Sequence, residues 1–249
     1  MDRSKMNRST LASDFRKSGN RRRHFILSAA WTLALATTWF LTGCETTGLT
    51  TGLTAIVQGA PYKPDNIFIA APQLPGDLKR VAVLPLVCGE RRTDLAEGCN
   101  ALGPVLVTEL IKAKKFEVVP IPPEELTRLT GRADWTGGEV LPASFLDSLE
   151  KKYGCDAVLF CQLTEFQPYP PLAVGWRLRL VAVHGHKTLW AGDEHFDAGK
   201  PAVIAGARLY QQREQRQLGD DTASWLALNS PRQFGQYSVA RLLDTLPAR

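Results

Sequence analysis

The sequence predicts an α/β domain with a three-layer mixed sheet of about five strands and helices on both faces, in the order βαβααβββαα. Three observations lead to this class. Residues 79–87 form a mostly apolar run of strand length, as expected of a strand covered on both faces. Apolar residues recur at helical spacing over 102–111, before a second strand at 116–121, and this order implies parallel pairing with a right-handed crossover. Two segments that flank a short turn, 175–183 and 188–196, are typical of a hairpin.

Five further elements complete the predicted order. They are helices at 122–129, 144–153, 201–217 and 231–245, and a strand at 156–166. Gly103 and Pro104 lie at the start of the first helix, where proline suits the first turn, and Gly154 can cap the third. The domain is predicted to span residues 79–249, which is long enough for a hydrophobic core of its own.

The first 43 residues have the layout of a bacterial export signal. A polar start ends in Arg21-Arg22-Arg23-His24, and about 18 residues without a charge follow it. A permanent transmembrane helix needs about 20 apolar residues, so length alone does not separate the two interpretations. Eight basic and two acidic residues lie before residue 44, so the formal net charge of +5 arises in this segment. The nearly neutral remainder argues against a nucleic-acid partner.

The apolar stretch ends in Leu41-Thr42-Gly43-Cys44, which resembles a bacterial lipobox. This resemblance implies that the Cys44 sulfur is lipidated, palmitate being a typical chain, and that the leader 1–43 is removed. Several acyl chains anchor a protein stably where one is marginal. Glu45 follows where some inner-membrane lipoproteins have Asp, which favours the periplasmic face of the outer membrane. Arg22-Arg23-His24-Phe25-Ile26 also resembles a twin-arginine export core, so both export routes stay open.

Residues 44–78 are predicted to form a flexible tether between the lipid and the domain. A short tandem, Thr46-Thr-Gly-Leu and Thr50-Thr-Gly-Leu, opens this segment. Four prolines follow, at positions 61, 64, 72 and 75. Glycine and proline at this density, with no sustained hydrophobic period, are typical of a linker.

Four other cysteines would enter an oxidising compartment, where disulfides persist. Cys155 and Cys161 flank a predicted strand about 20 Å long, too long for a disulfide between them. Cys88 and Cys99 close a loop between a strand end and a helix start and are the favoured pair. The alternative is four free thiols. Zinc ligation is less favoured, because no two of these cysteines lie two to four residues apart.

Four segments carry a family resemblance over about residues 79–199. They are Val81-Ala-Val-Leu-Pro, Phe116-Glu-Val-Val, Tyr153-Gly-Cys-Asp-Ala-Val-Leu and Lys187-Thr-Leu-Trp190. Together they resemble the α/β fold of the curli secretion channel lipoprotein, the outer-membrane lipoprotein that activates a penicillin-binding protein, and the N-terminal domain of the Tol-Pal translocation protein. The resemblance implies a role in the bacterial envelope. The two membrane hairpins of the curli channel have no counterpart here, which implies a relative without a pore of its own.

The sequence offers little for catalysis. It contains no Gly-x-x-x-x-Gly-Lys-Ser/Thr loop and no Gly-x-Ser-x-Gly elbow, so neither an enzyme nor a cofactor is predicted. His184 and His186 lie at the hairpin turn, and His195 follows on the second strand. A metal-dependent envelope hydrolase that uses these three histidines is the weaker alternative to a polar turn.

The candidate surface for a protein partner is the segment 166–176, where three prolines stiffen an aromatic loop. Stiff aromatic loops lose little entropy on docking. The candidate residues are Phe166, Tyr169, Pro170, Leu172 and Trp176. The alternative is a stiff connector whose aromatic residues pack on the core.

The predicted function is a lipid-anchored periplasmic lipoprotein that acts as a non-enzymatic adaptor or assembly factor through contacts with an envelope protein. A homo-oligomeric accessory of an outer-membrane secretion apparatus is the other alternative.

Overall fold

Seven strands form one mixed sheet in the part of the chain that the structure describes. They are β1 (Ile67–Ile69), β2 (Arg80–Val83), β3 (Val87–Cys88), β4 (Glu117–Pro120), β5 (Ala157–Gln167), β6 (Ala173–Ala182) and β7 (Thr188–Asp197). The order across the sheet is β1-β7-β6-β5-β2-β4, and β3 pairs with β5 outside this path. β2 is parallel to β4 and β5, and β3 is parallel to β5, whereas the pairs β5–β6, β6–β7 and β7–β1 are antiparallel. The predicted α/β class is therefore confirmed, with two short strands more than expected.

The structure is a computed structural model that describes residues 60–89, 93–218 and 229–249. These described residues belong to one compact unit. The predicted export signal, Cys44 and the tandem at 46–53 lie outside the described residues. No helix within the described ranges is long and apolar enough to cross a membrane.

Five helices are described, and they lie on both faces of the sheet. They are α1 (Thr93–Ala113), α2 (Pro123–Thr130), α3 (Phe145–Tyr153), α4 (Pro201–Leu218) and α5 (Pro231–Leu243). α1 and α5 pack together on one face, over a core that contains Trp176, Trp190 and Tyr237. α2 and α3 cover the other face, where the rings of Phe145 and Phe160 stack with centroids 6.1 Å apart. This arrangement gives the three predicted layers.

The core beneath α2 and α3 covers only part of its face of the sheet. Its strand residues come from β2, β5 and the end of β6, for example Ala82, Val158 and Val181. Of the described residues, none in this core belongs to β7 or β1. The half of this face formed by β6, β7 and β1 therefore has none of the described helices over it.

Two proline positions explain where the sequence prediction and the structure differ. The single strand predicted at 79–87 is divided into β2 and β3, with Pro85 between them, because proline cannot donate to a strand ladder. α1 starts at Thr93 and carries Pro104 in its interior, so the prediction that Pro104 lies in the first turn of this helix was wrong. Burial of Leu95 and Leu102 on one side of the helix compensates for the missing amide at Pro104.

The predicted tether, residues 44–78, extends past the point where regular structure begins. β1 lies inside residues 44–78 and pairs antiparallel with β7, opposite Trp190, Ala191 and Gly192. The prolines at 64 and 72 flank this strand rather than interrupt it. Proline density around a three-residue strand conceals the strand in the sequence, because the apolar run is too short to show a period.

Candidate functional site

The uncovered half of the sheet presents a row of side chains that we call the open face. Strand alternation selects these residues, since successive side chains point to opposite sides of a sheet. On β6, Trp176, Leu178 and Leu180 point into the core, and Arg177 and Arg179 point away from it. The open face consists of Phe68, Gln162, Arg177, Arg179, Ala191 and Asp193.

A cavity of about 430 Å³ lies on the open face. Phe68 and Ala191 line it on the side of β1 and β7, and the loop at Gly137 and Gly138 lines it on the side of α3. Phe68 remains 53% exposed, which is unusual for a phenylalanine that has a pocket beside it. An exposed aromatic next to a concave apolar surface is typical of a binding site.

The charged groups on the open face are already engaged with partners. Arg177 lies directly opposite Asp193 across β6 and β7, and its Nε and Nη2 atoms each lie 2.7 Å from Asp193 Oδ2. Arg179 Nε donates to Thr188 Oγ1 at 2.9 Å, and its Nη1 donates to the carbonyl oxygen of Gly137. These contacts fix both guanidinium groups at the border of the cavity and leave no net charge on the Arg177–Asp193 pair.

Buried Glu194 holds the segment that leads into β1. Its carboxylate accepts hydrogen bonds from the Tyr62 hydroxyl at 2.5 Å, the Asp65 amide at 2.6 Å and the Asn66 amide at 2.7 Å. Burial, and then the hydrogen bond to Glu194, raise the pKa of Tyr62 above its ordinary value. Neither β1 nor the role of Glu194 in holding it was predicted from the sequence. The apolar triplet Ile67-Phe68-Ile69 between prolines was the available signal.

Three of the five predicted partner-binding residues are not on the surface. Phe166, Leu172 and Trp176 are buried in the core beneath α1 and α5, and Trp176 Nε1 donates to Ser238 Oγ at 2.8 Å. Pairing of β5 with β6 directs Phe166 and Trp176 into the core, and Leu172 is buried immediately before β6 begins. Only Tyr169, which is 77% exposed, and Pro170 lie at the surface. The predicted surface is therefore wrong as a single patch.

The three histidines do not converge on a metal site. His184 and His186 lie in the turn between β6 and β7, and His184 Nε2 is 3.2 Å from Glu150 Oε1. His195 pairs with Gly175 near the other end of the hairpin, roughly 23 Å along the strand at about 3.3 Å per residue. Within the described ranges, no group of three His, Cys, Asp or Glu residues could hold a metal ion. The register of the hairpin thus contradicts the metal-site alternative.

The cysteines of the domain divide into a bonded pair and two buried thiols. Cys88 and Cys99 form a disulfide, with Cα atoms 6.2 Å apart, that joins β3 to α1. Cys155 and Cys161 are free and buried. Burial raises the pKa of Cys155 from 9.0 to about 11 and raises the pKa of Cys161 as well. Both thiols therefore stay protonated near neutral pH and are poor nucleophiles.

No family model matches this chain, and no curated protein matches it. Solved structures similar to it include the PelC dodecamer from Paraburkholderia phytofirmans, with 12% identity over 76% of this chain and 95% of that chain and a TM-score of 0.39. Lipoprotein GNA1162 from Neisseria meningitidis has 19% identity over 56% and 99%, with a TM-score of 0.36. LpoB from E. coli has 16% identity over 48% and 58%, with a TM-score of 0.34. At these identities and TM-scores, the similarities carry no argument about what this chain binds.

Proposed function

We propose that this protein is a lipid-anchored lipoprotein of the bacterial envelope that acts as a non-enzymatic adaptor, and that the open face of its sheet binds the partner protein. The observation that carries the proposal is the uncovered face itself. Three strands, β6, β7 and β1, lie side by side there with no described helix over them, and Phe68 projects beside a cavity of about 430 Å³. Protein interfaces place aromatic anchors at such positions and surround them with polar groups.

The chemistry of the open face favours binding over catalysis. Arg177 is paired with Asp193, and Arg179 is held by Thr188 and a backbone carbonyl. Groups that are already satisfied in this way orient a docked surface but supply no free acid, base or nucleophile at the cavity. The free thiols of the domain are buried and protonated.

The proposed localisation rests on Cys44 and the lipobox that it completes. A lipid on Cys44 would hold the domain at the periplasmic face of the outer membrane, the side favoured by Glu45. An adaptor anchored to this membrane and its envelope partners are at high local concentration relative to each other. A modest contact area therefore suffices for binding.

Site-specific crosslinking in the native host tests the proposal. A photoreactive phenylalanine analogue at position 68 of the full chain is expected to give a crosslinked product with another envelope protein. The matched control carries the analogue at Val140, which is 96% exposed and lies outside the open face. A product from position 68 that position 140 does not give supports the proposal. Equal products from both positions, or none from position 68, contradict it.

A further inference from the structure

The edge of β1 that faces away from β7 carries backbone groups in a defined pattern, with no backbone partner in the part of the chain that the structure describes. The Ala70 amide donates to the Leu189 carbonyl at 3.0 Å, and the Asp193 amide donates to the Asn66 carbonyl at 3.1 Å. Since backbone groups of successive strand residues point to opposite edges, residues 66, 68 and 70 face β7. The N–H and C=O groups of Ile67 and Ile69 therefore face away from the sheet, and no described strand lies there.

β4 forms the opposite edge of the sheet, and it is protected against pairing with a further strand. β1 has no such protection. In β4 the amides of Glu117 and Ile121 donate inward to β2, at 2.8 and 2.9 Å, so residue 120 faces the free edge. This residue is Pro120, which has no N–H, and Glu117 adds a charge that pairs with Arg80. Proline and charge are the usual means by which proteins blunt an edge strand. β1 has neither.

The side chains of β1 are apolar and substantially exposed. Phe68 is 53% exposed and Ile69 46% exposed, on opposite sides of the strand. A strand added along β1 would place the residue opposite Phe68 on the open face, next to the cavity. Of the charged groups at the cavity, Arg177 and Asp193 neutralise each other, and Arg179 is engaged by Thr188 and the carbonyl oxygen of Gly137. An uncharged side chain therefore fits this position without displacing any of these contacts.

We infer that β1 binds an extended segment of the partner protein as an eighth strand, through main-chain hydrogen bonds to Ile67 and Ile69, with an uncharged side chain of that segment packed beside Phe68. This inference rests on the proposed function and names the kind of partner that the open face takes. Addition of a strand to an exposed edge derives affinity from the backbone and specificity from alternate side chains.

A second copy of this chain is a poorer occupant of the edge. Two β1 strands related by a two-fold axis would share only a three-residue overlap. Stable dimers bury about 1,200–2,000 Å² in total, and such an overlap falls short of that range. An extended partner segment can continue beyond β1 and fill the cavity with its own side chain, which adds the missing contact.

Substitution of Ile69 by proline tests the main-chain bonding directly. Ile69→Pro removes an outward amide and leaves the bonds between β1 and β7 intact, because the amide of Ile69 does not face β7. The matched control, Ile69→Ala, removes the same side chain but keeps the amide. Both are placed in the full chain that carries the photoreactive analogue at position 68, and the yield of the crosslinked product is measured in cells.

The expected result is at least a tenfold loss of the crosslinked product with Ile69→Pro and less than a twofold loss with Ile69→Ala. Thermal unfolding of both variants in detergent verifies that the fold is retained. Equal losses with both variants, or no loss with Ile69→Pro, overturn the edge-pairing inference and leave the proposed function standing. A product formed between two copies of this chain overturns it in favour of self-association. Absence of any product from position 68 overturns the proposed function as well.

Discussion

The imidazole of His195 contacts the carboxylate of Glu165 over the strand that lies between them, with Nδ1 and Oε2 2.7 Å apart. His195 belongs to β7 and Glu165 to β5, and both are paired in register with Gly175 of β6. Because glycine has no side chain, nothing stands between the two groups. This contact joins three strands at one end of the uncovered half of the sheet.

Replacement of Gly175 by alanine is expected to destabilise the domain. A Cβ atom there would overlap Thr164 Oγ1 and come within 3.1 Å of Glu165 Cβ. Overpacking of this kind costs about 1–3 kcal/mol of unfolding free energy, which chemical denaturation measures. Gly138→Ala is the control, because nothing lies within 4 Å of its Cβ position. Equal unfolding free energies for the two variants would contradict the packing seen at Gly175.

Glu194→Gln is expected to loosen β1. The neutral amide replaces a carboxylate that accepts three hydrogen bonds, from Tyr62, Asp65 and Asn66. Hydrogen bonds to a charged group contribute about 1.5–3 kcal/mol, so a loss of that order is expected in the local stability of β1. Hydrogen exchange at the Phe68 amide, which faces β7, measures it. The exposed variant Glu124→Gln is the control and should leave this exchange rate unchanged. Unchanged exchange in Glu194→Gln would show that the carboxylate does not hold the strand.

The buried thiol of Cys155 is expected to make the domain less stable at alkaline pH. Burial raises its pKa from 9.0 to about 11, so the unfolded chain loses this proton first as the pH rises. The contribution of the buried, protonated thiol to the free energy of unfolding is fully present below pH 9. It is lost progressively between about pH 9 and 11. Denaturation of the wild type and Cys155→Ala over this range should show a smaller alkaline slope for the variant. Identical slopes of unfolding free energy against pH for the two proteins would show that the thiol is exposed to solvent.

Cys88 and Cys99 are expected to be joined by a disulfide in the isolated protein. Alkylation of the denatured, unreduced protein is expected to modify Cys155 and Cys161 only. Replacement of both Cys88 and Cys99 by serine should cost about 2–3 kcal/mol of unfolding free energy, the value expected for a loop of this length. Alkylation of all four thiols in protein isolated from the periplasm would instead support four free cysteines.

Cys44→Ser is expected to block lipidation and processing. Without the thiol, the leader stays attached and labelled palmitate is no longer incorporated, which gel mobility and radiolabelling measure. Cys155→Ser, which changes a cysteine of the folded domain, is the control and should be processed normally. Wild-type processing of Cys44→Ser would remove the lipid anchor from the proposal.

Several elements could be predicted because their signal is local. The alternation on β6, with Leu178 in the core and Arg177 and Arg179 outside, predicts one covered and one uncovered face, and the structure has both. Gly154 ends α3 with a left-handed backbone, φ 61°, as its position predicts. Such signals depend only on neighbours along the chain, so no knowledge of the packing is needed to interpret them.

The candidate site could not be predicted, because its parts lie far apart in the sequence. Phe68 and Ala191 come together only through the pairing of β1 with β7, and Gly137 reaches the same cavity from the loop before α3. Trp176 looked like a surface anchor among prolines, whereas the register of β5 and β6 buries it.

By itself the sequence determined the α/β class and the order of the main elements, and it predicts an export signal that ends in a lipobox, since each is encoded in a continuous stretch of residues. Only the tertiary structure decided which half of the sheet stays uncovered and which edge strand keeps its amides free. Those properties depend on which distant segments pack together, and packing is set by the whole core and not by any local pattern.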